Sequence, residues 1–430
     1  MAKKKSGSNA VVFWGLANIF YLYEVILRVS PSVMMDDLMA HYAVTASIFG
    51  VIVTCFYCSY VALQIPCGLI LDKFGPRILV SSSAILSTLG SVLFALTDQI
   101  YVAQIGRCMV GAGAACAFTS CLQIASLVFS PKQFAMFAGI TNMMGTLGAL
   151  CSGFPVAKSV NEIGWRQTIF ALAIIGMIIA GLVLMIVPKS LQNKNDHPQK
   201  DGNDASVNNG DRWPSFMITL KQVLKNKQII LSGLVGGFMY LPVSVFSELW
   251  AVPFFMTKYN IDNETASIAT SILFIGFAVG SIPVVMVAEK LNGYMRAIRL
   301  SISCVAPLFI ALVYVHDMYL SFAIVFIIGI FTGAEVITFT CAKNNESSAN
   351  TGTAIAFANA LIMLAGLIFQ PLFGLLLDVF WTGAVSMEHG VRIYEFSCYQ
   401  KAILLTIPTC LVIAYILSLF VKETIHMGKN

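Results

Sequence analysis

The sequence predicts an all-α membrane protein, with twelve transmembrane helices in two six-helix bundles related by a pseudo-twofold axis. Three observations carry this expectation. Apolar residues make up 58% of the 430-residue chain and charged residues 11%, and mean hydropathy is +0.81, far from the balance of a soluble globular domain. Twelve apolar runs each approach the ~20 residues that cross a bilayer as a helix. A polar, turn-rich stretch, residues 189–227, interrupts them after the sixth.

The first run, 11–34, follows the charged start MAKKK but contains Glu24 and Arg28 and lacks a small-residue cleavage site, so it reads as a retained helix and not a signal peptide. The second, 46–71, leads into the turn GLILDKFGPR, Gly68 to Arg77; the third is 77–97, and the fourth, 100–127, carries Arg107. The fifth and sixth are 134–157 and 167–188. The stretch after them has the composition of a flexible linker. It closes on Trp213, Phe216, Met217, Leu220, Val223 and Leu224, which share one helical face, as in a helix lying in the membrane interface or packed on the protein. The remaining runs are 229–256 with Glu248, 265–288, 297–315, 318–341 with Glu335, 353–378 with Asn359 and Gln370, and 401–421. The chain therefore divides into an N-terminal six-helix bundle, 1–188, a cytoplasmic linker with an amphipathic helix, 189–227, and a C-terminal six-helix bundle, 228–430.

Lysine and arginine set the expected orientation. Nineteen fall on the side that holds both termini and the linker, five on the other, and Arg28 and Arg107 lie within spans. Both termini are thus expected in the cytoplasm, and the net charge of +5 is a topology signal, not a sign of nucleic-acid binding. The eleven cysteines fall almost entirely in or beside apolar runs and read as small buried side chains; the Cys55/Cys58 pair has metal or redox spacing but no second pair or histidine in its span. The halves repeat faintly: Thr45-Ala46-Ser47 recurs as Thr265-Ala266-Ser267 and Phe137-Ala138 as Phe357-Ala358, both at an offset of 220 residues. Glu289-Lys290-Leu291-Asn292-Gly293 with Arg296 is a degraded echo of the turn Asp72 to Arg77.

That turn, G-x-x-x-D-K-x-G-P-R, resembles the loop signature of the Major Facilitator Superfamily, and Arg107-x-x-x-Gly111-x-Gly113-Ala-Ala115 is similar to the family's fourth-span pattern. The resemblance covers essentially the whole chain. It implies a secondary transporter built on the fold just described, with Gly68, Asp72, Lys73, Gly75 and Arg77 forming a gate latch between helix ends. Phe357-Ala-Asn359, Gly366, Gln370-Pro371-x-x-Gly374 and Asp378, with YEVILRVSPSVM in the first span and SELWAVPFF in the seventh, look like the proteobacterial, intraphagosomal-type amino-acid transporter branch. The fifth-span G-P-x-x-G-G run of antiporters is absent, which favours uptake over efflux.

Charged side chains within a span cost about 2.5–3.5 kcal/mol each on insertion scales and persist with partners or water. Counting turns from the span ends places Glu24, Arg28, Arg107 and Glu248 at one level. One reading is a local Glu24/Arg28 ion pair at i, i+4 with Arg107 as a structural arginine. The other is a site for an amino-acid-like zwitterion: Arg28 or Arg107 takes the carboxylate, Glu248 or Glu24 the ammonium, and Glu24 carries a coupling proton. Tyr21, Tyr23, Tyr57, Tyr60, Asn142, Tyr240, Trp250, Asn359 and Gln370 are candidates to complete the pocket. Glu335, nearer the cytoplasmic end, is expected in an inner gate with a loop cation, and Asp378 is expected to be solvated.

No phosphate-binding G-x-x-x-x-G-K-[ST], no H-E-x-x-H and no soluble domain able to hydrolyse ATP is present, and the five histidines are expected in loops, linker or tail. The expected protein is therefore not an enzyme and needs no cofactor and no metal. It is a multi-pass transporter of a bacterial inner membrane, a functional monomer whose partners are a small solute, a coupling proton and the lipid bilayer, with no nucleic acid. Proton-coupled uptake of an amino acid by alternating access is the leading expectation. The alternatives are an organic anion or siderophore carrier and a non-transporting receptor on the same fold.

Overall fold

Residues 2–129, 131–187, 221–345, 351–385 and 392–422 are described by the computed structural model, and nearly all of them are helical. Eleven helices among the described residues are long and apolar enough to cross a membrane. The remaining expected span, 134–157, is helical as well, in two pieces. The first half comprises α1 (Ala2–Val29), a 3₁₀ turn (Ser30–Met34), α2 (Met35–Tyr42), α3 (Ala46–Leu96), α4 (Ile100–Ala114), α5 (Ala117–Val128), α6 (Pro131–Ser152), α7 (Phe154–Ile163) and α8 (Trp165–Ile186). The second comprises α9 (Lys227–Leu241), a π-helical segment (Pro242–Trp250), α10 (Ala251–Tyr259), α11 (Asn263–Ser281), α12 (Pro283–Lys290), α13 (Tyr294–Tyr314), α14 (Met318–Thr332), a 3₁₀ turn (Gly333–Val336), α15 (Ile337–Asn344), α16 (Thr351–Val379) and α17 (Phe396–Ser418).

The second and third expected spans run together as α3, broken at Gly75, whose φ of 74° and ψ of 163° only glycine adopts without strain. Pro76 follows and removes a helical donor, so the chain reverses there. Arg77 secures the turn by donating to the Leu184 carbonyl at 2.6 Å, at the C-terminal end of α8, where a cation meets unsatisfied carbonyls. The side chains of Gly68, Asp72 and Lys73, the rest of the expected latch, lie outside the described residues. So does the linker up to residue 220; of its expected apolar face, Val223 is buried against Ile229, Ala342 and Phe357, and Leu224 is exposed.

Small residues let the helices approach closely, as membrane packing requires. A Cβ on Gly90 would lie 2.6 Å from the Gly106 carbonyl, joining α3 to α4, and one on Gly280 would lie 1.9 Å from the Ile330 carbonyl, joining α11 to α14. Large apolar side chains such as Ile174, Met185 and Ile282 cover the outside, the pattern of a lipid-facing surface. Of the cysteines, Cys398 is buried on α17. Cys67 and Cys116 form a disulfide between α3 and the start of α5, which corrects the expectation that all are unpaired packing groups.

Candidate substrate site

The second half places Glu248 in the π-helical segment. Pro242 opens this segment and lacks the N–H that would continue the regular ladder, so the wider helix accommodates the missing donor. All nine of its residues are buried. The first half places Arg28 in the last turn of α1. Between them runs a buried ion pair, Arg28 Nη2 to Glu248 Oε1 at 2.9 Å, with side-chain exposures of 13% and 1%. The Glu248 carboxylate also accepts from the Tyr57 hydroxyl on α3 and from the Tyr240 hydroxyl at 3.4 Å. Every Glu248 oxygen is therefore satisfied, and the cluster bridges the two halves.

Arg107 does not join this pair. Its Nη1 donates to the Leu27 carbonyl at 2.9 Å and its Nη2 to the Arg28 carbonyl at 3.4 Å, and its guanidinium stands over the Phe56 ring. The reason lies at the end of α1: Pro31 has no N–H to offer the Leu27 carbonyl four residues back, so that carbonyl takes Arg107 and, at 3.4 Å, the Ser30 hydroxyl. Glu24, one turn earlier, does not pair with Arg28. It is buried, at 2% exposure, with neither carboxylate oxygen hydrogen-bonded.

Gln370 on α16 joins the halves above the pair: its Oε1 accepts from Thr54 at 3.4 Å, its Nε2 donates to the Ser244 carbonyl at 2.6 Å, and its own carbonyl accepts from Trp250 Nε1 at 3.2 Å. Tyr60 is buried and stacks on the Phe56 ring, and Asn359 is half-buried on α16. Tyr21 packs its ring on Phe118 and its hydroxyl over Gly145. Tyr23 packs its hydroxyl against Gly176 of α8, away from the pair. Asn142 is exposed on α6 beside Met143, and its carbonyl takes the Thr146 hydroxyl. Glu335 is buried at 4% exposure in the 3₁₀ turn after α14, with no ion pair to a loop cation among the described residues.

At the end of the bundle away from the linker, a row of hydrogen bonds crosses between the halves. Asn263 donates to the Val33 carbonyl at 2.6 Å, and Asn161 to Glu264 at 3.1 Å. Asp378, expected to be solvated, accepts from the Ser47 amide at 3.0 Å and pairs with Arg392 at 3.2 Å. Sequence reasoning missed Arg392 and Tyr394, whose loop position gave no periodicity to read. His41, expected in a loop, sits on α2 and lies 3.1 Å from Asp98.

A family model described as Major Facilitator Superfamily matches residues 13–252, more than half of the chain. The chain is 24% identical over 275 residues to the hexuronate transporter of Bacillus subtilis (strain 168), covering 63% of this chain and 62% of that protein. It is 23% identical over 281 residues to the probable L-galactonate transporter of Escherichia coli (strain K12), covering 65% and 59%. The match thus spans about three fifths of the length of these relatives. In structure the chain is similar to a bacterial homologue of the human lysosomal transporter Spinster in an inward-facing, unoccupied conformation. That likeness has a TM-score of 0.73 and 15% identity over 96% of this chain and 95% of that one. The narrower resemblance to an amino-acid transporter branch finds no support in these relatives.

Proposed function

The chain belongs to the Major Facilitator Superfamily; from that premise we propose that it is a secondary transporter that carries a small organic anion, a carboxylate-bearing solute of the sugar-acid class, by alternating access. The observation that carries this reading is the Arg28–Glu248 pair: an arginine between the halves already holds a carboxylate, at 2.9 Å. An incoming carboxylate matches the same guanidinium fork. When it takes Arg28, Glu248 keeps the Tyr57 and Tyr240 hydroxyls, so releasing the arginine does not strand the glutamate. The hexuronate and galactonate of the relatives' names are carboxylates of this kind.

The coupling proton resides on Glu24 in this reading. Glu24 lies one turn before Arg28 on α1, buried and with no hydrogen bond to either carboxylate oxygen among the described residues. The lysine and arginine asymmetry favours cytoplasmic termini in a bacterial inner membrane, with 1–188 and 228–430 as the two moving bundles and the Gly68–Arg77 turn as the latch on the cytoplasmic side.

A second reading keeps the zwitterion, because Arg28 and Glu248 together present both a cation and an anion to a solute. Glu248→Gln separates them. In proteoliposomes, retained hexuronate uptake by this variant supports the anion reading. Uptake of an amino acid by the wild type, lost in the variant, overturns it in favour of the zwitterion.

A further inference from the structure

The two halves cap corresponding helices differently. Thr265-Ala266-Ser267 lies in the first turns of α11, and that helix is capped by its own chain: its N-cap Asp262 accepts from the Thr265 amide at 3.2 Å and from the Thr265 hydroxyl at 2.6 Å. These bonds, the hydroxyl's foremost, hold the Asp262 carboxyl below the usual carboxylate range. The repeat 220 residues earlier has Tyr42 in place of Asp262; α3 starts three residues later in the repeat, at Ala46, with Thr45 as its N-cap, and Thr45 makes no side-chain cap. The first amides of a helix need acceptors. Here they come from the other half. Asp378, at the end of α16, accepts from the Ser47 amide at 3.0 Å, and the Tyr394 hydroxyl accepts from the Ala46 amide at 2.9 Å while donating to Asp378. Arg392 pairs with Asp378 at 3.2 Å and stacks on Trp381, fixing the carboxylate in place. Glycines bring the backbones together beside it: a Cβ on Gly374 would meet the Ala46 carbonyl at 2.4 Å.

We propose that Asp378, held by Arg392 and Tyr394, is a latch that caps α3 in trans and so holds this end of the transporter closed. A cap supplied in cis, like Asp262 on α11, stabilises its helix in every state of the protein. A cap supplied from the opposite bundle exists only while the bundles touch. Separating them strips α3 of both acceptors and returns its amides to water, whereas Asp378 keeps its arginine. The closed state alone gains from the contact. The inference rests on the alternating-access reading but not on the identity of the solute.

The test uses the purified full chain in lipid nanodiscs without solute. Spin labels are attached to ketone-bearing amino acids at Tyr101 and Tyr319, both 76% exposed, one on each half at this end. Pulsed dipolar spectroscopy then reads the separation. Asp378→Ala is expected to shift the closed-to-open ratio about tenfold towards the longer distance, the worth of a good cap. Tyr394→Phe is expected to move it the same way by less, and serves if the first variant folds poorly. Adding Thr45→Asp to Asp378→Ala restores a cap in cis and is expected to leave the ratio shifted. An unchanged distance distribution in both single variants overturns the latch. So does recovery of the wild-type ratio by Thr45→Asp, which would make Asp378 a simple helix stabiliser.

Discussion

Arg28 of the first half and Glu248 of the second face each other at 2.9 Å, and this buried contact ties the cluster that spans the two bundles. Removing one partner of a buried pair leaves the other charge uncompensated, at about 3–5 kcal/mol, whereas removing both is far milder. Arg28→Ala is therefore expected to lower the thermal midpoint of the detergent-purified protein sharply. The double variant Arg28→Ala/Glu248→Ala is expected to recover most of that loss. Equal midpoints for the single and double variants would show that the two side chains are not energetically coupled.

Arg107 satisfies the Leu27 carbonyl because Pro31 cannot. Arg107→Ala is expected to destabilise by about 1 kcal/mol, since the Leu27 carbonyl loses its shorter bond and keeps only the Ser30 hydroxyl at 3.4 Å. In a Pro31→Ala background, which restores an N–H in reach of Leu27, the same substitution is expected to cost less by about 1 kcal/mol. Thermal unfolding of the four proteins in the cycle measures the difference.

Gly280 leaves 1.9 Å for a Cβ before the Ile330 carbonyl, whereas Gly181 has nothing within 4 Å. Gly280→Ala is expected to force α11 and α14 apart and destabilise by about 1–3 kcal/mol. Gly181→Ala is expected to be neutral. The two melts, run side by side, check the close-packing account.

Glu24 is buried without a hydrogen-bond partner. If it carries the coupling proton, Glu24→Gln is fixed in the neutral form: it is expected to lose accumulation driven by a pH gradient while retaining solute exchange across the membrane. A variant that still accumulates solute under an imposed gradient removes Glu24 from the coupling role.

The fold was legible because its signals are long and repeated: apolar runs of bilayer length, a polar break at mid-chain, and a Gly-Pro turn whose Gly75 does adopt positive φ. The site was legible in part. Depth counting brings Arg28 and Glu248 together, since both lie near the same ends of their spans. It does not tell which way a side chain leaves its helix, so Arg107, at the same depth, turns to the Leu27 carbonyl, and Asn142 ends on an exposed face. The deciding clue for Arg107 was Pro31, visible in the sequence but informative only with the geometry of α1. Asp378, Arg392 and Tyr394 were opaque for another reason: their partners are backbone amides of α3, and the sequence of a loop does not show which helix end it will meet.

The central claim, that Arg28 receives the carboxylate of a sugar-acid solute, is tested most directly by counterflow of radiolabelled hexuronate in proteoliposomes preloaded with the unlabelled compound. The wild-type protein is expected to concentrate label transiently. Arg28→Ala is expected to abolish that overshoot, and Arg28→Lys to weaken it, because an ammonium does not reproduce the guanidinium fork. An overshoot of wild-type size in a folded Arg28→Ala protein would contradict the account.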